Sequence, residues 1–244
     1  MSNKNVIYGF LVGDYGKLNE PLIKSKGWDY VLFSDNKNLK SNIWDIRPLS
    51  KEYKNIKDPK RIAMMHRIEF YKLFKKSKYE NIMCVHGDLL IKEDLNNFMK
   101  EYNLNNNKYD LAILEHPRRN CVYAEAFVVK HFKLDFPELI DKVIIKYRSE
   151  NYPLENGLYC TALMVIKNKK DNLREFFKIW SNEYINGSRR DQLSINYSLW
   201  KSNKLGNNVN VKLLPWSAYS DSDGENLFFK RFYHDGWKGR SINR

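Results

Sequence analysis

The sequence contains no long hydrophobic run. No apolar stretch approaches the about 20 residues that a bilayer-spanning helix requires. The run Val6 to Val12 is short, is interrupted by Gly9, and lacks the cleavage region of a signal peptide. We therefore predict a cytoplasmic protein without a transmembrane segment, and peripheral contact with the inner face of the membrane remains an open alternative.

Cysteines and linker-like segments are also scarce. The three cysteines, Cys84, Cys121 and Cys160, are odd in number and lack CxxC spacing, which argues against a disulfide framework or a zinc knuckle. No internal repeat and no linker rich in Pro, Gly or Ser divides the chain. Because 244 residues with 43% hydrophobic content can bury one sizeable core, we predict a single α/β domain over residues 1–244, with two small domains as the alternative.

Negative charge is in deficit, because the sequence has 42 Lys and Arg residues but only 29 Asp and Glu residues, which gives a net charge of +13. This balance indicates an anionic partner: a nucleotide diphosphate, an acidic polysaccharide, a membrane face or a nucleic acid. The lysines are scattered rather than packed in one run with interleaved aromatics. We interpret most of them as solvated surface and do not expect a nucleic-acid partner.

Short apolar runs alternate with amphipathic stretches, which predicts a central mixed sheet flanked by helices. Asp58-Pro59 predicts a helix start, and that helix is expected to continue to Phe74. The predicted strands are Val6 to Val12, Tyr30 to Phe33, Ile82 to Val85, Leu111 to Leu114 and Tyr159 to Ile166. The further predicted helices are Tyr123 to Phe132, Glu138 to Arg148, Asn172 to Tyr184 and Gln192 to Lys201.

A small polar turn, His86-Gly87-Asp88, follows the predicted buried strand. Open α/β sheets bind ligands at the carboxyl ends of their strands. A carboxylate and an imidazole separated by a glycine suit a divalent metal that bridges two phosphates. The alternative is an ordinary turn, because this triplet alone is a weak signal.

The C-terminal segment contains His234, Gly236 and Lys238. It could close over a diphosphate, with His234 as a further metal ligand and Lys238 neutralising phosphate charge. The alternative is a frayed basic tail.

Two more segments contain candidate catalytic groups. Asp191 and Gln192 lie at a predicted helix start, where Asp191 either caps the helix or projects into a sugar site and stabilises developing positive charge. Glu125 follows a predicted strand together with Arg118 and Arg119, and it is either a general base for an acceptor hydroxyl or a member of a structural ion pair.

The helix that starts at Pro59 has polar groups at notable positions. Arg61 lies one turn into the helix, close enough to its N-terminus to help hold phosphate. His66 and Glu69 fall within the apolar face, and we interpret them as a satisfied buried pair.

Taken in order, these segments resemble the TOD1/MUCI70-type glycosyltransferase-like domain family, which is found in plant cell-wall and mucilage proteins and in bacterial polysaccharide gene clusters. The resemblance spans roughly residues 5 to 202. The matching segments are Tyr30 to Asp35, Lys60-Arg61, His86-Gly87-Asp88, His116-Pro117-Arg118 with Cys121, Tyr123 and Glu125, Tyr152-Pro153 with Gly157 to Tyr159, and Arg190 to Ser194 with Tyr197, Leu199 and Trp200.

The resemblance implies a GT-A-like nucleotide-diphospho-sugar transferase fold that holds a divalent metal on the donor diphosphate. It places Asp35 near the base or ribose and His86 and Asp88 in the metal turn. The family usually has Asp-Gly-Asn or similar there, so His86 is a departure. It either weakens the metal site or shifts its preference towards Mn²⁺, because an imidazole suits transition metals better than Mg²⁺. Asp191-Gln192 and the His234-to-Lys238 tail are also similar to family 8 retaining glycosyltransferases, although one residue is missing between His234 and Gly236.

The resulting hypothesis is a metal-assisted glycosyltransferase in surface polysaccharide synthesis. It would move a sugar from a nucleotide-sugar donor, most simply UDP-linked, to a glycan or lipid-linked acceptor that is itself anionic. Retention of the anomeric configuration is favoured, and inversion stays open. The alternative is a non-catalytic nucleotide- or carbohydrate-binding protein of the same fold.

Overall fold

The computed structural model describes residues 3–13, 16–75, 77–168, 171–221 and 223–232. Nine strands occur in these ranges, and seven of them form one mixed sheet in the order β3-β2-β1-β4-β7-β6-β8. The remaining two, β5 and β9, pair with each other. The strands are β1 Asn5–Leu11, β2 Trp28–Ser34, β3 Asp45–Pro48, β4 Asn81–Val85, β5 Leu90–Ile91, β6 Leu111–Glu115, β7 Tyr159–Lys167, β8 Val211–Leu214 and β9 Phe229–Lys230.

Strand direction decides which loops meet. β1 pairs in parallel with β2 and β4, β2 with β3, and β6 with β8. β7 runs antiparallel to both of its neighbours, β4 and β6. The carboxyl ends of six strands and the amino end of β7 therefore lie at one edge of the sheet.

Helices cover both faces of this sheet. α1, α2 and α6 pack with one face of the strands, while α3 packs with the other face. A third apolar cluster joins α4, α5 and α7. The helices are α1 Pro59–Ile68, α2 Phe70–Leu73, α3 Leu95–Glu101, α4 Val122–His131, α5 Pro137–Ser149, α6 Asp171–Asn186 and α7 Ile195–Lys204. Within the described ranges, no helix has both the length and the apolar composition needed to cross a membrane.

The start of α1 follows its sequence signal. The Asp58 side chain accepts a hydrogen bond from the Lys60 N–H at 2.9 Å, and Pro59 occupies the first helical position. The predicted helix to Phe74 is wrong in one respect, because Glu69 (φ −98°, ψ 31°) interrupts it and α2 begins at Phe70. This interruption turns the Phe70 ring into the core, 4.8 Å from that of Phe177.

His66 and Glu69 form the satisfied buried contacts that the sequence predicted. The Ser50 N–H donates to His66 Nε2 at 2.9 Å, and His66 Nδ1 lies 2.8 Å from the Ile62 carbonyl, so the neutral Nδ1–H tautomer satisfies both contacts. Glu69 accepts hydrogen bonds from the hydroxyls of Tyr53 (2.6 Å) and Ser181 (2.8 Å). Their role is to join α1, α6 and the segment before α1.

The predicted strands and the mixed α/β class are confirmed. The observed ends of these strands differ from the predicted ends by no more than two residues. Five elements had no clear sequence signal: β3, β5, β8, β9 and α3. The predicted helix Gln192 to Lys201 begins later, at Ile195, because Asp191–Leu193 forms a separate 3₁₀ turn.

Candidate functional site

Polar residues from four segments lie at the sheet edge defined above. Asp35 follows β2, the turn His86-Gly87-Asp88 follows β4, and His116 follows β6. Thr161 lies near the amino end of β7, which reaches the same edge because β7 is antiparallel. The sheet topology thus brings together candidates that are far apart in the chain, as open α/β sheets do for their ligands.

The turn after β4 is packed tightly against β1. A Cβ atom on Gly87 would lie 2.6 Å from the Phe10 carbonyl oxygen, and one on Gly9 would lie 2.9 Å from the Gly87 Cα. Only glycine at both positions permits this approach. The backbone beside Asp88 is also fixed, because its carbonyl accepts a hydrogen bond from the Asn19 amide at 2.6 Å, and Asp88 itself is buried.

Asp35 is exposed at the end of β2. Its carboxylate accepts hydrogen bonds from the Gly13 N–H at 2.9 and 3.0 Å. These bonds tie the end of β2 to the loop after β1, next to the turn after β4. The role of Asp35 near a base or ribose stays a prediction, and its position at this edge is compatible with it.

Asp191 does not cap a helix, and that interpretation is wrong. It starts the 3₁₀ turn, while α7 begins at Ile195 with Ser194 as its N-cap residue. The Asp191 carboxylate instead accepts a short hydrogen bond from the Thr161 hydroxyl. The cause is a register shift in the sheet: Ile113 pairs with Met164 but Leu114 pairs with Cys160, so the residues between them on β7, Thr161 included, form a bulge. Bulges re-aim side chains in this way.

Behind Thr161 lies a fully buried arginine. Arg67 of α1 is 1% exposed and donates from Nη1 to Thr161 Oγ1 at 2.8 Å. Its guanidinium lies 5.0 Å from the centre of the Phe10 ring. Among the described residues, its Nε and Nη2 make no hydrogen bond. An arginine stays charged when buried, so Asp191, which interacts with it electrostatically, is the carboxylate that compensates this charge.

Further cations lie near Asp191. Partial desolvation and the neighbouring Arg190 and Arg189 lower the pKa of Lys60 to about 8, although much of the Lys60 side chain is accessible to solvent. Arg190 donates to the Gln192 amide oxygen at 3.3 Å, and its buried Nε makes no hydrogen bond to any described residue. Gln192 therefore orients a cation beside Asp191.

Glu125 forms an ion pair. Its carboxylate is 2% exposed and lies 2.5 Å from Arg119 Nε. Of the two interpretations of the sequence, the geometry shows the ion pair, and a role as general base stays a prediction. Arg118, the other candidate, is exposed.

His116 lies next to this ion pair. Its Nδ1 accepts hydrogen bonds from the Arg119 N–H (3.1 Å) and the Arg118 N–H (3.3 Å). Burial and the nearby Arg119, Arg118 and Arg190 lower the pKa of His116 to about 4. His116 is therefore a neutral imidazole at physiological pH.

The Arg61 side chain is bound to backbone carbonyls at the end of α6. Its Nη1 donates to the Tyr184 carbonyl at 2.8 Å and its Nη2 to the Gly187 carbonyl at 2.9 Å. These bonds join α1 to the end of α6. The predicted phosphate role of Arg61 remains untested, but its guanidinium is engaged in a structural contact.

His234, Gly236 and Lys238 lie outside the described residues. Within the described part of the chain, no group of three or more His, Cys, Asp and Glu side chains is arranged to hold a metal ion. His86 and Asp88 provide an imidazole and a carboxylate on one turn, and this pair fits Mn²⁺ better than Mg²⁺. A complete metal site would need a further ligand, for which His234 stays the prediction.

Sequence reasoning missed Arg67, Thr161 and Lys60 as parts of this site. Arg67 had a detectable signal, because it lies among the buried residues Met64, Met65 and Ile68 of a helix whose apolar face was predicted. A cation within such a face needs a carboxylate partner. Lys60 lies in the Lys60-Arg61 segment of the family resemblance, where no role was predicted for it, and Thr161 had no signal.

Comparisons with known proteins identify the family of this chain. The model of the family described as TOD1/MUCI70, glycosyltransferase-like domain, matches residues 29–230. Among solved structures, the chain is similar to the apo structure of the WbbM bifunctional glycosyltransferase, with 12% sequence identity and a TM-score of 0.48. That alignment covers 88% of this chain and 39% of the other, so the chain spans well under half the length of that protein. A comparison with curated proteins found no match.

Proposed function

The chain belongs to the TOD1/MUCI70 glycosyltransferase-like domain family, and from this premise we propose that it is a glycosyltransferase acting at the sheet edge. The donor is a nucleotide sugar, UDP-linked, and the acceptor is a glycan or lipid-linked sugar of surface polysaccharide synthesis. The observation that supports the proposal is the hydrogen bond from the Thr161 hydroxyl to the Asp191 carboxylate, because Thr161 lies on β7 at the sheet edge where the turn His86-Gly87-Asp88 follows β4.

The donor side of the proposed site extends from Asp35 to Asp88. Asp35, at the end of β2, faces the nucleoside, and the turn after β4 faces the diphosphate. Asp88 and His86 would hold a divalent metal, with His234 as a further ligand. When bound, the metal supplies Lewis-acid stabilisation of the nucleotide leaving group. Lys238 and Gly236 would close over the diphosphate from the C-terminal segment.

Asp191 is the proposed group at the anomeric carbon. The Thr161 hydroxyl holds one carboxylate oxygen, and the other side of the residue is partly open. A carboxylate fixed in advance stabilises positive charge that develops on the sugar without reorganising during the reaction. Retention of configuration belongs to the proposal because the Asp191-Gln192 pair is similar to that of retaining enzymes.

The acceptor side consists of His116, Arg119 and Glu125. Glu125 is held by Arg119, so its action as a base would require that ion pair to open. Arg118 and Arg190 add positive charge beside it, and the neutral His116 can accept or donate a hydrogen bond. This charge favours an anionic acceptor.

A panel of nucleotide sugars incubated with the purified chain and Mn²⁺ tests the proposal. We expect release of the nucleotide diphosphate from one donor. In Asp191→Asn the turnover of this donor should fall by at least about 100-fold, because a fixed electrostatic group contributes a factor of this order. Asp45→Asn, at the amino end of β3 on the opposite edge, is the matched control and should keep full activity. Metal-dependent binding without turnover of any donor would favour the non-catalytic alternative.

A further inference from the structure

Two cations near Asp191 have no carboxylate partner. Lys60 and Arg190 form no ion pair with any described residue, and they interact electrostatically with each other. Lys60 also interacts with Asp191, and Arg190 interacts with His116. The two cations therefore lie close to the proposed sugar-binding carboxylate and to the proposed acceptor side.

The carboxylates around these two cations are committed to other arginines. The pairs are Asp58 and Asp135 with Arg189, at 3.6 and 3.3 Å, Glu125 with Arg119, and Asp191 with Arg67. Glu115, which precedes His116, is exposed and forms no ion pair with a described residue. Two positive charges are thus left over beside Asp191, and no carboxylate of the described residues is paired with them.

Lys60 lies at a position where a helix disfavours a cation. It is the second residue of α1, and the dipole of a helix is positive at its N-terminus. Partial desolvation, followed by the charges of Arg190 and Arg189, lowers the pKa of Lys60 to about 8. Asp191 and Asp135 act in the opposite direction and do not restore the usual value. A cation held against these effects indicates an anionic ligand that the folded chain itself does not supply.

The Arg190 guanidinium has hydrogen-bond donors that the fold does not use. Among the described residues it donates only from Nη2, to the Gln192 amide oxygen at 3.3 Å, and its buried Nε has no acceptor. A guanidinium has five N–H donors in a planar fork that matches two oxygens of a phosphate. The N–H groups of Nη1 are therefore available to an oxyanion.

The backbone of Arg190 is fixed from both sides. Asp135 is buried and accepts hydrogen bonds from the Ser188 hydroxyl (2.6 Å) and the Arg189 N–H (2.8 Å). The Arg190 N–H donates to the Ser188 hydroxyl at 3.1 Å, and the Leu193 N–H donates to the Arg190 carbonyl at 3.0 Å. Arg190 is therefore placed before a ligand arrives, which lowers the entropy that binding costs.

We propose that Lys60 and Arg190 form an oxyanion site that binds a phosphate group of the acceptor. Arg190 binds two phosphate oxygens, and Lys60 adds a point charge. Two unpaired cations match a phosphate group with a charge of about −2, whereas a carboxylate would leave one of them unmatched. This inference rests on the proposed function, whose anionic acceptor it narrows to a phosphate-bearing one.

Calorimetric titration of the full chain with methyl phosphate at pH 8 tests the proposal. Methyl phosphate is a dianion at this pH, because its second pKa is about 6. The titration is run with and without saturating UDP and Mn²⁺, which occupy the proposed donor site, and we expect equal binding in both. Lys60→Met and Arg190→Met should each weaken binding about tenfold or more, because each removes a charge-assisted hydrogen bond. The controls Lys100→Met and Arg174→Met remove exposed cations elsewhere and should bind like the wild type.

Lys60 supplies a second readout, which a merely structural role would not change. At pH 8 about half of the Lys60 amino groups are neutral, and a bound dianion favours the charged form. We therefore expect binding to take up as much as about half a proton, measured as a dependence of the binding enthalpy on the ionisation enthalpy of the buffer. Lys60→Arg keeps the charge without a group that titrates near pH 8, so it should retain binding and lose the proton uptake.

Three results would overturn the proposal: no binding of methyl phosphate by the wild type, equal weakening in the variants and the controls, or displacement of methyl phosphate by UDP with Mn²⁺. The last result would assign the two cations to the diphosphate of the donor. If Arg190→Met fails to fold, Lys60→Met, which replaces an exposed side chain, decides the test. Binding of methyl phosphate without binding of UDP would contradict the proposed donor site and leave the oxyanion site, whereas the reverse result contradicts the oxyanion site alone.

Discussion

At the scale of single residues, the least expected feature is a buried cation connected to a candidate catalytic carboxylate. Arg67, Thr161 and Asp191 are joined by two hydrogen bonds, although Arg67 and Thr161 are separated by 94 positions and Thr161 and Asp191 by 30. The Thr161 hydroxyl accepts from one group and donates to the other. It therefore fixes where the Asp191 carboxylate lies.

Replacing Thr161 by valine keeps the side-chain shape and removes this hydroxyl. Because Arg67 and Asp191 then lose their shared partner, we expect unfolding free energy to fall by about 1–3 kcal/mol. We also expect kcat for donor hydrolysis to fall more than KM rises, since the carboxylate loses its fixed position. Denaturant unfolding and steady-state kinetics measure both effects. Thr161→Ser retains the hydroxyl and should restore most of the kcat, and a Ser variant as impaired as the Val variant would refute this explanation.

Charge compensation between Arg67 and Asp191 makes a separate prediction. Asp191→Asn leaves the buried guanidinium without its carboxylate and should lower stability by about 1–3 kcal/mol, less than for a fully buried pair because Asp191 is partly exposed. In the Arg67→Met background the buried positive charge is absent, so Asp191→Asn should there lower the free energy of unfolding only slightly. A double-mutant cycle measures this coupling. Additive effects of the two changes would show that the residues do not compensate each other.

The lowered pKa of His116 predicts that the stability of the fold depends on pH. Its folded pKa of about 4 lies below the unfolded value of about 6.5, so the unfolded state binds more protons between these limits. The stability contribution is therefore complete above about pH 6.5 and is lost as the pH falls towards 4, with a total of about 3 kcal/mol. His116→Asn keeps an acceptor for the Arg118 and Arg119 N–H groups and should flatten this part of the curve. An unchanged acid slope in the variant would assign the loss to other groups, such as His66.

At the scale of elements, the contact between β1 and the turn after β4 positions the proposed diphosphate site. Gly87→Ala would place a Cβ 2.6 Å from the Phe10 carbonyl, so the turn has to move. We expect a stability loss of about 1–3 kcal/mol and weaker binding of UDP, measured by denaturant unfolding and calorimetry.

Gly206→Ala provides the contrast for that variant. Gly206 has a left-handed φ of +85° but open space around it, so this change should cost only about 1 kcal/mol of backbone strain. It should leave UDP binding unchanged because it lies at the end of α7. If both variants weaken UDP binding equally, the Gly87 contact does not position the site.

The elements that the sequence predicted are those with strong local signals. β1, β2, β4, β6 and β7 are continuous apolar runs, and α1 has its Asp58-Pro59 start. β5 and β9 are two residues each and exist only through their mutual pairing, and β8 is an edge strand with a half-exposed pattern. The bulge at Thr161 arises from pairing with β6, so nothing within β7 could indicate it.

At the scale of the whole molecule, sheet topology explains which site residues were predictable. Asp35, His86, Asp88 and His116 follow strands that the sequence identified, and parallel strands bring such positions to one edge. Thr161 belongs to β7, which runs antiparallel to both of its neighbours, and strand direction has no local signature. Long-range partners, such as Arg67 for Asp191, require the folded chain.

The net charge of +13 does not identify any single site, but the distribution of the charges is informative. Lys60, Arg118 and Arg190 lie around the site. This grouping is a local arrangement that composition cannot reveal.

The central claim is that a nucleotide diphosphate binds at the turn after β4. Calorimetric titration of the full chain with UDP, in the presence and absence of Mn²⁺, tests it most directly. We expect tight binding that requires Mn²⁺ and is lost in Asp88→Ala, whereas Asp45→Asn binds like the wild type. Binding of UDP that is unchanged by the Asp88→Ala substitution, or no binding under either condition, would contradict the claim.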